Sequence, residues 1–314
     1  MDIASCFDHN FVIPQGIMMQ SLCVNNKDVE IVFHLIIDES VTQQDKDDLR
    51  EVAAQFPAKR VEFYSIDSSF FKTLPQLEGR NLTQATYYRL YLSEILPDNI
   101  NKVLFLDGDL IVRHSLLPLW NTDISDVALA GVSDVLSDRG ISERLGYPSQ
   151  LGYINAGVLL INLEYWRSHV VLSQFMDCIA QLGDKLFFHD QDVLNYVFRE
   201  RKMLLPIKYN LISFFLYDYR QDLRDRFGQQ MKVALQDPVI VHFIAETKPW
   251  QRNVNTPHVP HPFAAEFKFY QDQTKWKGVF SDLRPIKIRI RQTLGDIARK
   301  VGLRKPLSPK YISL

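Results

Sequence analysis

Cysteine is scarce in this chain: Cys6, Cys23 and Cys178 are the three in 314 residues, far apart and without a C-x-x-C spacing. So sparse and odd a set argues against a disulfide scaffold and against a cysteine-zinc site, and it fits a reducing, cytoplasmic compartment. Long apolar runs are lacking too. No segment approaches 18 consecutive apolar residues, so no helix is expected to span a bilayer. The opening Met1-Asp2-Ile3-Ala4-Ser5 lacks a basic region followed by an apolar stretch, and no signal peptide is expected there. There is no GxGxxG after the first apolar segment and no GxxxxGKS/T anywhere. A Rossmann dinucleotide site and a P-loop are therefore not expected, and any phosphate handling needs another device, of which a metal is the obvious one. Internal repeats are missing, as is any Gly/Ser linker before about residue 280.

The chain is 46% hydrophobic and 23% charged, which rules out a disordered or low-complexity protein. Net charge is −1, but from Arg284 onward nine Lys/Arg face one acid, Asp296. That tail is +8 and the remainder −9, so an anionic surface is expected as partner of the tail only. An acidic body argues against nucleic acid.

Apolar runs alternate with helical patterns. Strands are expected at Ile3–Phe7, Val29–Ile37, Val61–Ile66, Val103–Leu106, Val127–Val132 and Gly157–Ile161. Helices are expected at Pro14–Val24, Thr42–Phe56, Tyr87–Leu96, Leu163–Ile179 and Asp192–Phe198. Thr42 with Asp45 three residues on reads as a helix start. A late strand, Val239–Phe243, is placed to return to the same sheet. This rhythm predicts one α/β domain with a mostly parallel sheet and helices on both faces, plus a C-terminal appendage.

The stretch Val103-Leu104-Phe105-Leu106-Asp107-Gly108-Asp109 is the most informative. A buried strand delivers two carboxylates to its carboxyl end, where open α/β sheets bind ligands. Acids at i and i+2 can converge on one hard divalent ion, and Gly108 gives the backbone room to turn. Two other readings stand beside this: a hairpin turned at Asp-Gly, and a metal-dependent phosphohydrolase with paired aspartates after a strand. His242, near the end of the late strand, is a candidate third ligand, and an imidazole joining two carboxylates suits manganese.

Several separated segments together resemble glycosyltransferase family 8, the retaining, nucleotide-sugar-dependent enzymes that include bacterial lipopolysaccharide galactosyl- and glucosyltransferases. They are Asp8-His9-Asn10, Thr86-Tyr87-Tyr88-Arg89-Leu90, Leu104 to Asp109, Tyr153 to Val158, His189-Asp190-Gln191-Asp192, and His242-Phe243 with Lys248-Pro249-Trp250. The resemblance runs from Met1 to about Trp250. It implies a single nucleotide-binding domain of the GT-A type, a UDP-sugar donor (UDP-galactose or UDP-glucose), and Mn2+ or Mg2+ as the ion. Asp107, Asp109 and His242 match the metal ligands of its DXD-type site. Asp8 and Asn10 match uridine contacts and Lys248 a diphosphate contact. Arg89, Asn155, Asp190 and Gln191 match residues around the donor sugar, with Asp190 and Gln191 nearest the chemistry, and Asp134 resembles an acceptor position.

Two positions depart from the family pattern. Ala245 stands where glycine is frequent after the metal histidine, and Phe11 stands where a hydroxylated aromatic is common. The Ala245 loop leaves open a third reading, a nucleotide-sugar-binding protein without turnover. The residues taken alone also admit plain structural roles: Asp8, Asn10 and Asp190 as helix caps, and Asn155-Ala156-Gly157 as a turn.

Residues 1–280 are read as the catalytic domain and 281–314 as a basic amphipathic tail. Leu283, Ile286, Ile290, Leu294, Ile297 and Val301 fall within about 80° on a helical wheel, with Arg284, Lys287, Arg289, Arg291 and Arg299 off that stripe. Such a helix either packs on the body or lies on anionic lipid at the inner face of the plasma membrane, where a lipid-linked glycan acceptor would be reached.

Overall fold

The computed structural model describes residues 1–67, 85–135, 137, 140–217, 220–244, 248–250, 261–279 and 286–304. The chain opens with β1 (Asp2–Phe7), α1 (Val12–Asn25), β2 (Ile31–Ile37), α2 (Gln43–Ala54) and β3 (Lys59–Ser65). The single turns α3 (Ala85–Tyr88) and α4 (Leu92–Ile95) precede β4 (Lys102–Leu106), β5 (Leu110–Val112) and α5 (Leu117–Trp120). Then come β6 (Leu129–Ser133), α6 (Ile141–Arg144), β7 (Ile154–Asn162), α7 (Leu163–Ser168), α8 (Val171–Leu182) and α9 (His189–Val197). β8 (Lys202–Leu205), β9 (Leu211–Ile212), α10 (Gln221–Gln236), β10 (Ile240–His242), α11 (Ala264–Gln271) and α12 (Ile286–Lys300) complete the described elements.

The main sheet has seven strands in the order β3-β2-β1-β4-β7-β6-β8. Its β1–β2, β2–β3, β1–β4 and β6–β8 pairs are parallel, while β7 runs antiparallel to β4 and β6. The sheet is mixed and mostly parallel, and both faces are covered, which is why its central strands read as nearly unbroken apolar runs. Successive side chains take opposite faces. Leu104 and Leu106 of β4 join Ile17 and Leu22 of α1 in one core, while Val103 and Phe105 join Phe175 of α8 and Phe198 in the other. Trp166 anchors the second core, with ring centroids 5.2 Å from Phe175 and 5.5 Å from Phe198. Thr42 and Asp45 form a reciprocal cap on α2, each side chain accepting from the other's backbone N–H.

Three expectations need correction. The helix expected over Tyr87–Leu96 is broken by a 3₁₀ turn at Arg89–Tyr91, which aims the Arg89 guanidinium inward. The helix expected over Leu163–Ile179 is two helices, because Val170 adopts a φ of +49° between them. The late strand does not rejoin the main sheet: β10 pairs antiparallel with β5 and parallel with β9 in a separate three-stranded sheet. β4 and β5 therefore belong to different sheets, and Asp107-Gly108-Asp109 links the two instead of closing a hairpin.

Gly16 of α1 lies under the buried Trp276 ring, and a Cβ there would come within 2.0 Å of the ring carbon Cζ3. Absence of a side chain is what lets the segment after α11 seal this helix. Gly16→Ala should lower unfolding free energy by about 1–3 kcal/mol, the usual cost of overpacking. Pairing it with Trp276→Leu should make the alanine's added cost smaller in denaturant melts; a fully additive double variant would refute the contact.

Candidate functional site

The site is assembled where the two sheets meet. Asp107 follows β4, and its N–H donates to Gly157 O of β7 at 2.9 Å. Asp109 precedes β5, and its carbonyl accepts from Phe243 N just beyond β10 at 2.8 Å. The loop is thus fixed by backbone bonds to one sheet at Asp107 and to the other at Asp109. His242 is the last residue of β10, opposite Leu110, so its imidazole faces the same loop.

Ligand atoms of Asp107, Asp109 and His242 all lie within 4.8 Å of one another. His242 Nε2 stands 2.9 Å from Asp109 Oδ1 and 3.7 Å from Asp107 Oδ2. Gly157 forms the floor: a Cβ there would lie 2.2 Å from His242 Cε1 and 2.7 Å from Asp107 Oδ2. Two hard carboxylates and a borderline imidazole converging over a bare backbone fit a divalent cation. The buried Asn210 sets the ring: its Nδ2 donates to Asn155 Oδ1 at 2.8 Å, leaving its Oδ1 3.0 Å from His242 Nδ1. That directs the Nε2 edge toward the aspartates.

Positive charge already surrounds the carboxylates. Lys248 makes an ion pair with Asp109. Burial would raise the Asp109 carboxyl, but Lys248 and His242 hold it well below the usual carboxylate range. Arg89, almost fully buried, donates to Asp107 Oδ1 at 3.0 Å, to Asp190 Oδ2 at 2.9 Å and to Ala156 O at 2.6 Å. Its guanidinium carbon lies 4.4 Å from the Phe105 ring centroid. Burial lifts Asp190 to about 7, with Arg89 opposing and Asp107 reinforcing the shift.

Asp190 and Gln191 occupy the first turn of α9. The turn is anchored by Asp192, which is fully buried and accepts from Tyr153 OH at 2.6 Å, from Arg144 at 2.8 Å and from Phe188 N at 2.8 Å. Gln191 Oε1 accepts from Ala156 N at 2.9 Å and from Asn155 Nδ2 at 3.3 Å. Asp134 Oδ2 accepts from Asn155 Nδ2 at 3.1 Å and from Gln191 Nε2 at 3.4 Å.

Asp107, Asp109, His242, Lys248, Arg89, Asp190, Asn155, Gln191 and Asp134 therefore form one network, with Asn210 as a link that the sequence pattern did not disclose. A lone Asn beside the apolar Tyr209 and Leu211-Ile212 was the available signal. Asp8 and Asn10 stand apart from this network, at the carboxyl end of β1. Asp8 Oδ1 accepts from Asn10 N at 2.9 Å, capping the 3₁₀ turn at His9–Phe11, so the capping reading of Asp8 is realised. Phe11 connects this turn to the site, its ring centroid 5.2 Å from Lys248 Nζ. Asn155-Ala156-Gly157 is part of β7 and not a turn, and the N-cap of α9 is Phe188 and not Asp190. Ala245 lies outside the described residues.

The geometry can be set against known proteins. The description "Glycosyl transferase family 8" matches residues 2–254. General stress protein A of Bacillus subtilis is 27% identical, over 89% of this chain and 96% of that protein. A lipopolysaccharide 1,2-glucosyltransferase of Escherichia coli is 31% identical, over 77% of this chain and 71% of that protein. The crystal structure of the galactosyltransferase LgtC with donor and acceptor sugar analogs superposes with a TM-score of 0.75 at 26% identity, covering 93% of this chain and all of that one. The mixed sheet and helices described above are thus a GT-A type fold, and the family match over residues 2–254 includes every residue of the network. The chain belongs to glycosyl transferase family 8 and is a glycosyltransferase with lipopolysaccharide galactosyl- and glucosyltransferase relatives.

Proposed function

We propose that this protein is a metal-dependent, retaining hexosyltransferase that moves galactose or glucose from a UDP-sugar to a glycan acceptor of lipopolysaccharide or another cell-surface glycan. The convergence of Asp107, Asp109 and His242 beside Lys248, at the carboxyl end of β4, carries this reading. Asp107, Asp109 and His242 would hold the ion, with Mn2+ favoured by the imidazole and Mg2+ admissible. The bound ion would supply Lewis-acid stabilisation of the negative charge developing on the leaving diphosphate.

The chain's own residues divide the remaining work. Asp8, Asn10 and the Phe11 ring hold the uridine, and Lys248 meets the diphosphate. Arg89 keeps Asp107 and Asp190 in fixed orientation with two separate ion pairs. Asp190 and Asn155 orient sugar hydroxyls. Gln191 lies beneath the sugar as a polar but weakly nucleophilic group, which favours same-face substitution over a covalent carboxylate intermediate. Asp134 is assigned to the acceptor side. The phosphohydrolase alternative is disfavoured by the family match, which runs over residues 2–254 and takes in Asp107, Asp109 and His242 alike.

The tail belongs to the same proposal. Among the described residues no helix is long and apolar enough to cross a membrane. α12 (Ile286–Lys300) nevertheless presents Ile290, Leu294 and Ile297 more than half exposed, and Val301 and Leu303 beyond its end are likewise exposed. Exposed cationic Arg291 and Arg304 accompany them. An apolar stripe with basic flanks suits peripheral attachment to anionic lipid, each basic residue contributing about 1 kcal/mol. We assign the tail to the cytoplasmic face of the plasma membrane, beside a lipid-linked acceptor.

Asp107→Asn and Asp109→Asn should keep the fold and lose Mn2+-dependent UDP binding, read by calorimetry. Asn210→Ala should weaken Mn2+ binding by about 10–100-fold, as loss of a ligand's hydrogen-bond support does. Wild-type affinity in either aspartate variant would remove the metal assignment. Asp190→Asn should spare UDP affinity while lowering kcat; an equal loss of UDP binding would move Asp190 into the nucleotide site.

Asp190 also sets a pH signature in the ion-free protein. Its carboxyl titrates near about 4 when unfolded and at about 7 when folded. Between those values the folded state holds the extra proton, so this group's contribution to stability falls as pH rises. Wild-type Tm should drop relative to Asp190→Asn between those limits; parallel Tm curves would contradict the assignment.

Deleting residues from Arg284 onward should leave Tm and Mn2+-dependent UDP binding unchanged and abolish sedimentation with phosphatidylglycerol vesicles. Full-length binding should weaken with salt, since exposed charges are screened beyond about 8 Å at physiological ionic strength. A Tm lowered by several degrees, without vesicle binding by the full chain, would mean that the helix packs on the body instead.

A further inference from the structure

Lys248 occupies a more constrained position than a surface diphosphate contact requires. Its side chain is only 14% exposed. The ammonium pairs with Asp109 Oδ2, while Asp109 Oδ1 faces His242 Nε2. Among the described residues two aromatic faces stand beside it, Phe11 at 5.2 Å and Trp250 at 5.6 Å from Nζ to ring centroid. Trp250 is itself stacked on Phe267 of α11 at 5.0 Å, so this wall is anchored in the core. A carboxylate and two π-faces constitute a good site for a monovalent cation, and the chain supplies that cation itself.

The same Asp109 belongs to the three-residue cluster assigned to the divalent ion. An ammonium on one oxygen of a ligand and a divalent ion on the cluster are like charges at contact range, and the partly buried setting screens their repulsion poorly. The ammonium and the ion therefore compete for Asp109. We propose that Lys248 is the resident cation of the Asp107–Asp109–His242 cluster, and that a divalent ion enters only as Lys248 leaves Asp109. This rests on the metal reading given above and adds an order to it. A diphosphate offers the displaced ammonium a new anionic partner, so nucleotide and ion favour each other's binding. That coupling is reciprocal by thermodynamic necessity. Ion alone has to compete with Lys248; ion with UDP does not.

The test is Mn2+ titration without nucleotide, by calorimetry and by the EPR signal of free Mn2+, on the full chain. Lys248→Met keeps an apolar stem against Phe11 and Trp250 and removes the competing charge. It should bind Mn2+ alone more tightly than wild type, by about tenfold or more, as loss of a close charge competitor predicts. Lys248→Gln should do the same, and Lys248→Arg, which restores the cation, should return to the wild-type value. UDP should then tighten Mn2+ binding less in Lys248→Met than in wild type. Equal or weaker Mn2+ affinity in folded Lys248→Met and Lys248→Gln would overturn the proposal. If wild type still binds Mn2+ with UDP in that case, the metal site stands and only the displacement role fails. If no protein binds Mn2+ with or without UDP, the metal reading fails and this role with it.

Discussion

Carboxylate repulsion is the constraint around which this molecule is arranged. Asp107, Asp109 and Asp190 are gathered into one largely buried site, where like charges are costly unless cations intervene. Arg89 bridges Asp107 and Asp190, and Lys248 takes Asp109. The bridging explains otherwise odd local structure. The 3₁₀ turn that interrupts the helical segment before β4 directs Arg89 inward, where it meets both carboxylates over the Phe105 ring. The bare backbone at Gly157 then leaves space for the remaining charge to be met by an ion.

Much of the scaffold was legible because its signals are local. Apolar runs such as Ile31–Ile37 and the reciprocal Thr42/Asp45 cap depend on neighbours within a few residues, and there the reading and the structure agree to within two residues. The failures lie where tertiary contacts override local pattern. Nothing between Leu163 and Ile179 announces that Val170 takes a left-handed conformation. The apolar Leu110–Val112 and Ile240–His242 segments look like members of the main sheet, yet they pair with each other, because the chain leaves that sheet at Asp107-Gly108-Asp109.

The site shows the same division. Residue types at strand ends flagged Asp107, Asp109 and His242, and the structure brings their ligand atoms within 4.8 Å of one another. Asn210 was not legible: its importance lies in bonds to Asn155 and His242, 55 and 32 residues away, and no spacing rule connects them. Asp8 illustrates the converse, because its carboxylate caps the following turn whatever else it contacts. Structural and functional roles are not exclusive at such a position, and sequence pattern cannot separate them.

The separation between Asp109 and His242, 133 residues along the chain, also bears on synthesis. Strands β1 to β4 can pair early in translation, and the two aspartates emerge with them. Their imidazole partner, and the β10 strand that carries it, arrive only after β9 and α10 have left the ribosome. A nascent chain thus presents an acidic loop long before it owns the complete cluster. Premature termination anywhere upstream of His242 leaves a product without the complete Asp107–Asp109–His242 cluster, so its assembly is a late event in the life of each molecule.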